Sequence, residues 1–485
     1  MRIVPVVRDI RIWSAGLLVG ALLLGGCTGS PPPAQPGPMG LEPGLEADTP
    51  AEVDLAGVGD PYFPNYGNGG YDVASYALKV KFDPAAGRLD GTATVKAKAT
   101  VPLDRFHLDL IGLTVDSVVV EGDPAEVKRD RDELVITPSR HIDSGQAFTA
   151  VVRYHGNPGE SPERDAEHNG FYVGRDSAVA IGEPQSAAAW FPVNDHPRDK
   201  ALYTIDVTVP NKLSGLSNGV LKGKKTDGDW TTWSWDVTSP MASYLATMVV
   251  GEYRVTQSLH RGKPVVYAVA SSVPVGEADR NLARTTEVAD FLESLFGPYP
   301  FDAYGGIVVG DNRVSDELEN QTRPLYLPKT WAKGPDTIIL AHELAHQWFG
   351  DSVSVQSWRD MWLNEGFATY AEWLWDEHQG GRTVQEHYDR RYRDRKDRMW
   401  RVPTADPGSD GIFSSSVYER GAMTLHALRK LVGDDKFFTI MRTWTAEQRD
   451  GNASTAEFVT LAERVAGRPL TAFFQPWLYG KTRPE

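Results

Sequence analysis

Two histidines four residues apart, His342 and His346 in His342-Glu343-Leu344-Ala345-His346, are followed nineteen residues later by Glu365 in Trp362-Leu363-Asn364-Glu365-Gly366. The first spacing has a use only on a helix, where residues i and i+4 share a face one turn apart. Two imidazole nitrogens then reach one metal ion. Neutral imidazole with carboxylate suits zinc, and three protein ligands with an open fourth position mark a catalytic rather than a structural site. Glu343, beside the first histidine, is placed to take a proton from water activated by the metal.

The surrounding residues argue against the plain alternative, a surface helix with two solvated histidines. Ile338, Ile339, Leu340, Ala341, Leu344, Ala345, Trp348 and Phe349 make the segment apolar nearly all round, which predicts a buried helix. Buried imidazoles and carboxylates need partners, and a metal ion is one. Asp336 after Pro335 is placed to cap this helix and Gly350 to end it. A second helix is expected from about Ser357 to His378, stopped by Gly380-Gly381, with Glu365 near its start.

The chain of 485 residues is long enough for two or three domains. Its net charge of −15 excludes an extended phosphate-binding face, so no nucleic-acid partner is expected. The run from Arg390 to Arg398 looks basic, but Asp389, Asp394 and Asp397 interleave it. It reads as a solvated helix carrying i,i+4 pairs. The single cysteine, Cys27, closes a leader. Arg2, Arg8 and Arg11 precede an apolar stretch from Ile12 to Gly26, too short to span a bilayer comfortably, which ends in Leu24-Gly25-Gly26-Cys27. That ending resembles a bacterial lipobox. It implies a signal peptide over residues 1–27, acylation of Cys27 and a membrane-anchored, extracytoplasmic protein. A plain signal peptide or a short anchor helix also fits. With Cys27 lipidated, no disulfide is available.

Residues 28–58 are rich in Pro, Gly and Ala and read as a tether. Residues 59–253 carry short alternating segments between Gly, Pro and Asp turns. Tyr76 to Phe82, Leu89 to Ala99, Phe106 to Leu113, Val115 to Val120, Phe148 to Tyr154, Tyr203 to Val209, Thr231 to Val237 and Tyr244 to Val250 predict a large antiparallel β domain. From 254 to 485 the pattern changes. A strand at Pro264 to Ala270, an amphipathic helix from about Glu277 to Phe296, a strand at Gly306 to Gly310 and a helical remainder to Trp477 predict a mixed α/β catalytic half. The fold class expected is therefore α+β and multidomain.

His342 to Asp351 (HELAHQWFGD), with Trp362 to Tyr370 (WLNEGFATY), resembles the M1 family of zinc aminopeptidases, the gluzincins related to aminopeptidase N and leukotriene A4 hydrolase. The likeness runs from about Tyr62 to Trp477 and has a short, two-domain, lipoprotein form. It implies a saddle-like β domain followed by a thermolysin-like domain holding one zinc ion. Glu319, in Asp316-Glu317-Leu318-Glu319-Asn320, stands where the family has the glutamate that binds the substrate's free α-amine, with Asn320 beside it in the same substrate-binding motif. A buried ammonium needs a carboxylate, and that pairing restricts cleavage to the first peptide bond. Glu183, in Gly182-Glu183-Pro184-Gln185, matches a second amine-binding group from the β domain. Tyr418, in Val417-Tyr418-Glu419-Arg420-Gly421, matches the tyrosine that hydrogen-bonds the oxyanion, and Arg420 replaces the usual lysine. The resemblance implies peptide substrates with a free N-terminus. The chain stops soon after this region, without the long helical domain of larger relatives, which implies a more open site.

Two features leave alternatives open. The same ligands serve a zinc endopeptidase without an amine clamp, or epoxide hydrolysis with a lipid tunnel. A non-catalytic surface lipoprotein with structural zinc is disfavoured, because it has no use for Glu343 or Tyr418. Asp316, Glu317 and Leu318 replace the family's small residues and methionine, and the added acids predict a preference for basic N-terminal side chains. A panel of aminoacyl amides in which Lys and Arg are cleaved no faster than Ala or Leu would remove that expectation.

Overall fold

In the computed structural model, residues 55–158, 170–332, 334, 336–393 and 398–485 are described. The leader, Cys27, most of the expected tether and the centre of the Arg390 to Arg398 run lie outside them. Within the described residues the alternating segments form strands with one face buried. From Tyr71 to Asp83, the side chains of Tyr76, Leu78, Val80 and Phe82 are buried while Lys79 and Lys81 are exposed. An eight-stranded sheet runs in the order Val220–Asp227, Trp230–Met241, Ala201–Pro210, Tyr71–Asp83, Arg88–Ala99, Ala147–Gly156, Thr114–Val120 and Asp123–Pro124. It is not wholly antiparallel, as the alternation alone suggested. Ala201–Pro210 pairs parallel with Tyr71–Asp83, from Ser75 opposite Leu202 to Lys81 opposite Thr208. A period of two is the same in either direction, so direction is set by the long connection between these strands.

Two four-stranded sheets follow. One orders Ser214–Ser217, Met248–Gly251, Ala178–Ala180 and Phe171–Val173; the other orders Tyr253–His260, Lys263–Ala270, Tyr304–Val308 and Leu325–Tyr326. The expected strand from Tyr244 to Val250 begins only at Met248. Ser243–Leu245 is a 3-10 turn, and its backbone carbonyls serve other side chains. Leu245 O accepts from Asn218 Nδ2 at 2.9 Å and from Asn320 Nδ2 at 2.8 Å.

The helical part corrects three boundaries. The single helix expected over Glu277 to Phe296 is two, α1 (Glu277–Leu282) and α2 (Thr285–Phe296), broken at Ala283 and Arg284. The helix α3 (Ile338–Ala345) stops well before Gly350. Gln347 N bonds back three residues to Leu344 O and Asp351 N bonds back five to His346 O, so the last turn tightens and then widens. Asp336, expected as the cap, lies one residue before the N-cap Thr337, which makes no side-chain capping bond; Asp336 Oδ1 accepts from Ile338 N at 2.9 Å. The next helix, α4 (Trp362–His378), begins after a separate 3-10 turn, Trp358–Asp360, whose N-terminus Ser357 caps. Then follow α5 (Val384–Tyr392), α6 (Gly421–Val432), α7 (Asp434–Glu447) and α8 (Thr455–Ala466).

Residues 52–485 form one compact unit. The strand-rich and helical parts meet through polar contacts close to the expected site. Asn218 Nδ2 donates to Gln321 O at 2.9 Å, Gly219 N to Thr322 Oγ1 at 2.7 Å, and Arg323 Nη2 to Gly219 O at 2.6 Å. Lys200 Nζ reaches Asp351 O and Ser352 O, both at 2.8 Å. On the other side, α4 meets the turn Ser416–Arg420 backbone to backbone. A Cβ on Gly366 would lie 2.9 Å from Gly421 Cα and 3.3 Å from Val417 O. Gly366 follows Glu365, and Val417 precedes Tyr418, so this contact sets the spacing of two site residues. Gly366→Ala therefore overpacks the junction at a cost of about 1–3 kcal/mol. Thermal unfolding should show a Tm lowered by several degrees, and kcat should fall with it as Tyr418 is displaced.

Candidate active site

The helix α3 carries His342 and His346 on one face, and α4 crosses it with Glu365 in its first turn. Both imidazoles are turned the same way. His342 Nδ1 meets Glu372 Oε1 at 2.6 Å, and His346 Nδ1 meets Phe349 O at 3.0 Å. Each ring therefore donates from Nδ1 and leaves the Nε2 lone pair free. The two Nε2 atoms lie 3.2 Å and 3.5 Å from the same atom, Glu365 Oε2. That oxygen is buried and has no hydrogen-bond partner. One ligand atom from each of His342, His346 and Glu365 falls within 4.8 Å of the other two. Three unpaired donors converging in a buried site are what a single zinc ion satisfies, and each histidine already has the outer hydrogen bond that orients a zinc ligand.

The charges point the same way. Burial opposes charge on His342, but the adjacent carboxylates of Glu365 and Glu372 outweigh it and raise its pKa well above the ordinary value. His346 rises to about 9; burial opposes this too, and the carboxylates of Glu319 and Glu365 prevail. Burial pushes Glu343 up to about 8, assisted by Glu319 and Glu317 against the pull of the two histidines. These acids call for positive charge. A dication held by His342, His346 and Glu365 would favour the ionised form of Glu343 and the neutral form of the imidazoles.

Glu319 is buried on the segment leading to the Leu318–Leu325 bridge. Its Oε1 accepts from Tyr244 OH at 3.0 Å, and its backbone oxygen accepts from Gln347 Nε2 at 2.8 Å. Glu183 enters from the strand-rich part, just past Ala178–Ala180. Its Oε1 is buried without a hydrogen-bond partner. Burial raises its pKa well above the usual carboxylate range, and Glu319, Glu365 and Glu343 raise it further, so all four carboxylates share one region. Asn320 is also buried, its Nδ2 fixed on Leu245 O and its Oδ1 unpaired. Its amide group holds the strand-rich wall against Glu319.

Tyr418 lies on the turn Ser416–Arg420, with its ring nearly parallel to that of His342 at 6.1 Å between centroids. Burial and the nearby Glu365 keep its pKa well above 10, so the hydroxyl stays protonated and can donate. Arg420 takes no part in this surface. It is fully buried, and its guanidinium donates to Val402 O at 3.1 Å and to Pro476 O and Gly480 O, both at 2.8 Å. It anchors the turn that carries Tyr418. Asp316 is exposed and accepts from Ser315 Oγ, while Glu317 accepts from Thr330 Oγ1. Two residues near the site escaped the sequence reading. Glu372 lies two turns along α4 from Glu365, a spacing of seven that was available to be noticed. Tyr244 had no local signal, because its partner is 75 residues away.

Two family models match the chain: the peptidase M1 N-terminal domain over residues 72–245 and the peptidase family M1 domain over 284–477. The crystal structure of an M1 zinc metallopeptidase from Deinococcus radiodurans is 30% identical, with a TM-score of 0.79 over 88% of this chain and 98% of that one. This chain belongs to peptidase family M1. A variant of the Deinococcus enzyme bound to a Tyr-Ser-Ala substrate is 29% identical, also with a TM-score of 0.79, over 88% and 99% of the two chains. Aminopeptidase M1-D of Oryza sativa subsp. japonica is 26% identical over 83% of this chain and 49% of its own length. Human glutamyl aminopeptidase is 29% identical over 61% and 33%. The chain thus spans half or less of the length of these two relatives, and nearly all of the Deinococcus structure. The family is one of zinc peptide hydrolases, and the His342, His346 and Glu365 cluster fits that metal.

The Glu372 contact can be tested apart from turnover. Glu372→Gln removes the negative partner of His342 Nδ1 and should weaken zinc binding about 10–100-fold. Competition with a chromogenic chelator, checked by elemental analysis, measures it.

Proposed function

We propose that this protein is a zinc aminopeptidase that releases N-terminal residues from peptides. The observation that carries the reading is the conjunction of a three-ligand metal site with two further acids, the buried Glu319 and the half-buried Glu183 with its buried Oε1, whose charges the metal ligands do not use. A carboxylate pair beside a hydrolytic centre has a natural counter-ion in the substrate's α-ammonium. Fixing that group sets the first peptide bond, and no other, at the reacting position.

His342, His346 and Glu365 would hold the zinc, which supplies Lewis acidity to water and to the scissile carbonyl. Glu343 follows His342 on α3 and so faces about 100° away from it around the helix. Its carboxylate takes the proton of the attacking water and delivers it to the leaving amine nitrogen. Tyr418 donates its hydroxyl hydrogen to the oxygen on which charge develops, a contact worth about 3 kcal/mol in the transition state. Glu319 and Glu183 bind and orient the amine. An endopeptidase on this scaffold would leave both acids without a counter-ion, which disfavours that reading.

We also propose, from the leader sequence, that Cys27 is acylated and that the enzyme works at the outer face of the cell membrane. Cys27→Ala should abolish metabolic labelling with a fatty acid and move the enzyme out of the membrane fraction; a labelled, membrane-bound variant defeats the proposal. For the chemistry, Glu343→Gln should lower kcat by about 10²–10⁴-fold at full zinc content. The intact enzyme should cleave free aminoacyl amides and spare their N-acetylated forms. Equal rates on the two would return the endopeptidase reading.

A further inference from the structure

Tyr244 is a buried phenol that the catalytic scheme leaves unused. It lies on the turn Ser243–Leu245, in the strand-rich part, and is 1% exposed. Its hydroxyl donates to Glu319 Oε1 at 3.0 Å. Its ring meets Trp358 edge-on, with centroids 5.6 Å apart. Trp358 is held in turn. Its backbone N–H donates to Asp60 Oδ2 at 3.0 Å, and Ser357 Oγ donates to the same oxygen at 2.8 Å. Asp60 Oδ1 accepts from the N–H groups of Tyr62 and Phe63, at 2.8 Å and 3.1 Å. The residue after Tyr244 is fixed as well, because Leu245 O accepts from both Asn218 and Asn320. The phenol therefore has one position.

Glu319 has a competing attraction: after burial, its charge and that of Glu365 are what favour the protonated form of His346. A free carboxylate in that place would turn toward the imidazoles or the metal. We propose that Tyr244 is a positioning residue for the amine clamp: its hydroxyl holds Glu319 Oε1, so that the carboxylate stays in one orientation and the other oxygen is left for the substrate's ammonium. This rests on the reading of Glu319 as the amine ligand. Burial, followed by the charges of Glu319 and Glu183, keeps the phenol protonated, so it is always a donor here.

The test is a double-mutant cycle on Tyr244→Phe and Glu319→Ala, assayed on a fluorogenic aminoacyl amide. Tyr244→Phe keeps the ring and its packing on Trp358, so folding is not at stake. It should raise KM about tenfold, the worth of one hydrogen bond to a charged group. The value of kcat should stay within about twofold, with zinc content and Tm unchanged, the pattern of lost binding rather than lost chemistry. In the Glu319→Ala background the same change should have no further effect on KM. An unchanged KM in Tyr244→Phe overturns the proposal. So does a fall in kcat with KM held, a loss of zinc, or additive effects in the double variant. If Glu319→Ala itself leaves KM for the free amine unaltered, the amine-clamp reading fails independently of Tyr244.

Discussion

An imbalance of buried charge governs this site. Glu183, Glu319, Glu343 and Glu365 share one region with two imidazoles. Unpaired carboxylates in a low-dielectric interior are costly, and no arrangement of the two histidines offsets four of them. On the function proposed above, two cations would resolve the imbalance: a metal ion held by His342, His346 and Glu365, which would also favour the ionised form of Glu343, and the α-ammonium of a substrate beside Glu319 and Glu183. On that reading, binding and chemistry are coupled through one electrostatic field, and a peptide lacking the free amine would leave that field uncompensated.

Such a field works only if the charges cannot move. Both zinc-ligand imidazoles are tied at Nδ1, one to a carboxylate and one to a backbone carbonyl. Glu365 is set by α4, and α4 is set by its backbone contact with Gly421. Neither Gly366 nor Gly421 has room for a side chain, because each would meet the other's main chain. Arg420 then ties the same turn to the carbonyls of Val402, Pro476 and Gly480. The charge that the family usually carries as lysine has become a structural clamp with several donors, a task the guanidinium fork suits.

How much of this was legible depends on the range of each interaction. The metal ligands and Glu343 were readable because a helix turns sequence spacing into geometry, four residues to one face. The strands were readable as strands, because Leu78, Val80 and Phe82 alternate with exposed lysines. The parallel pairing of Ala201–Pro210 with Tyr71–Asp83 was not, since alternation has no direction. The early end of α3 was not, since the widened turn after His346 is set by tertiary contacts of Gln347 and Asp351 rather than by Gly350. Glu183 and Tyr418 were found only through family likeness. Locally one is a turn residue before a proline and the other a tyrosine among apolar neighbours. Tyr244 falls in a segment whose alternation predicts a strand, whereas it lies on a turn whose Leu245 carbonyl accepts from the distant Asn218 and Asn320.

The division follows the work each part does. Water activation needs groups a few ångströms apart on two crossing helices, and a short motif encodes that. The proposed recognition of the substrate's first residue draws on groups from outside those helices. Glu183 and Tyr244 come from the strand-rich part, far from the helices in sequence, and they reach Glu319 only because Asn218, Gly219 and Arg323 fasten the two parts together. A helical half by itself would retain the ligand triad and Glu343, and with them the means to activate water. It would lose Glu183 and the donor to Glu319. On the proposed reading, exopeptidase specificity is a property of the junction, set by contacts between residues far apart in sequence.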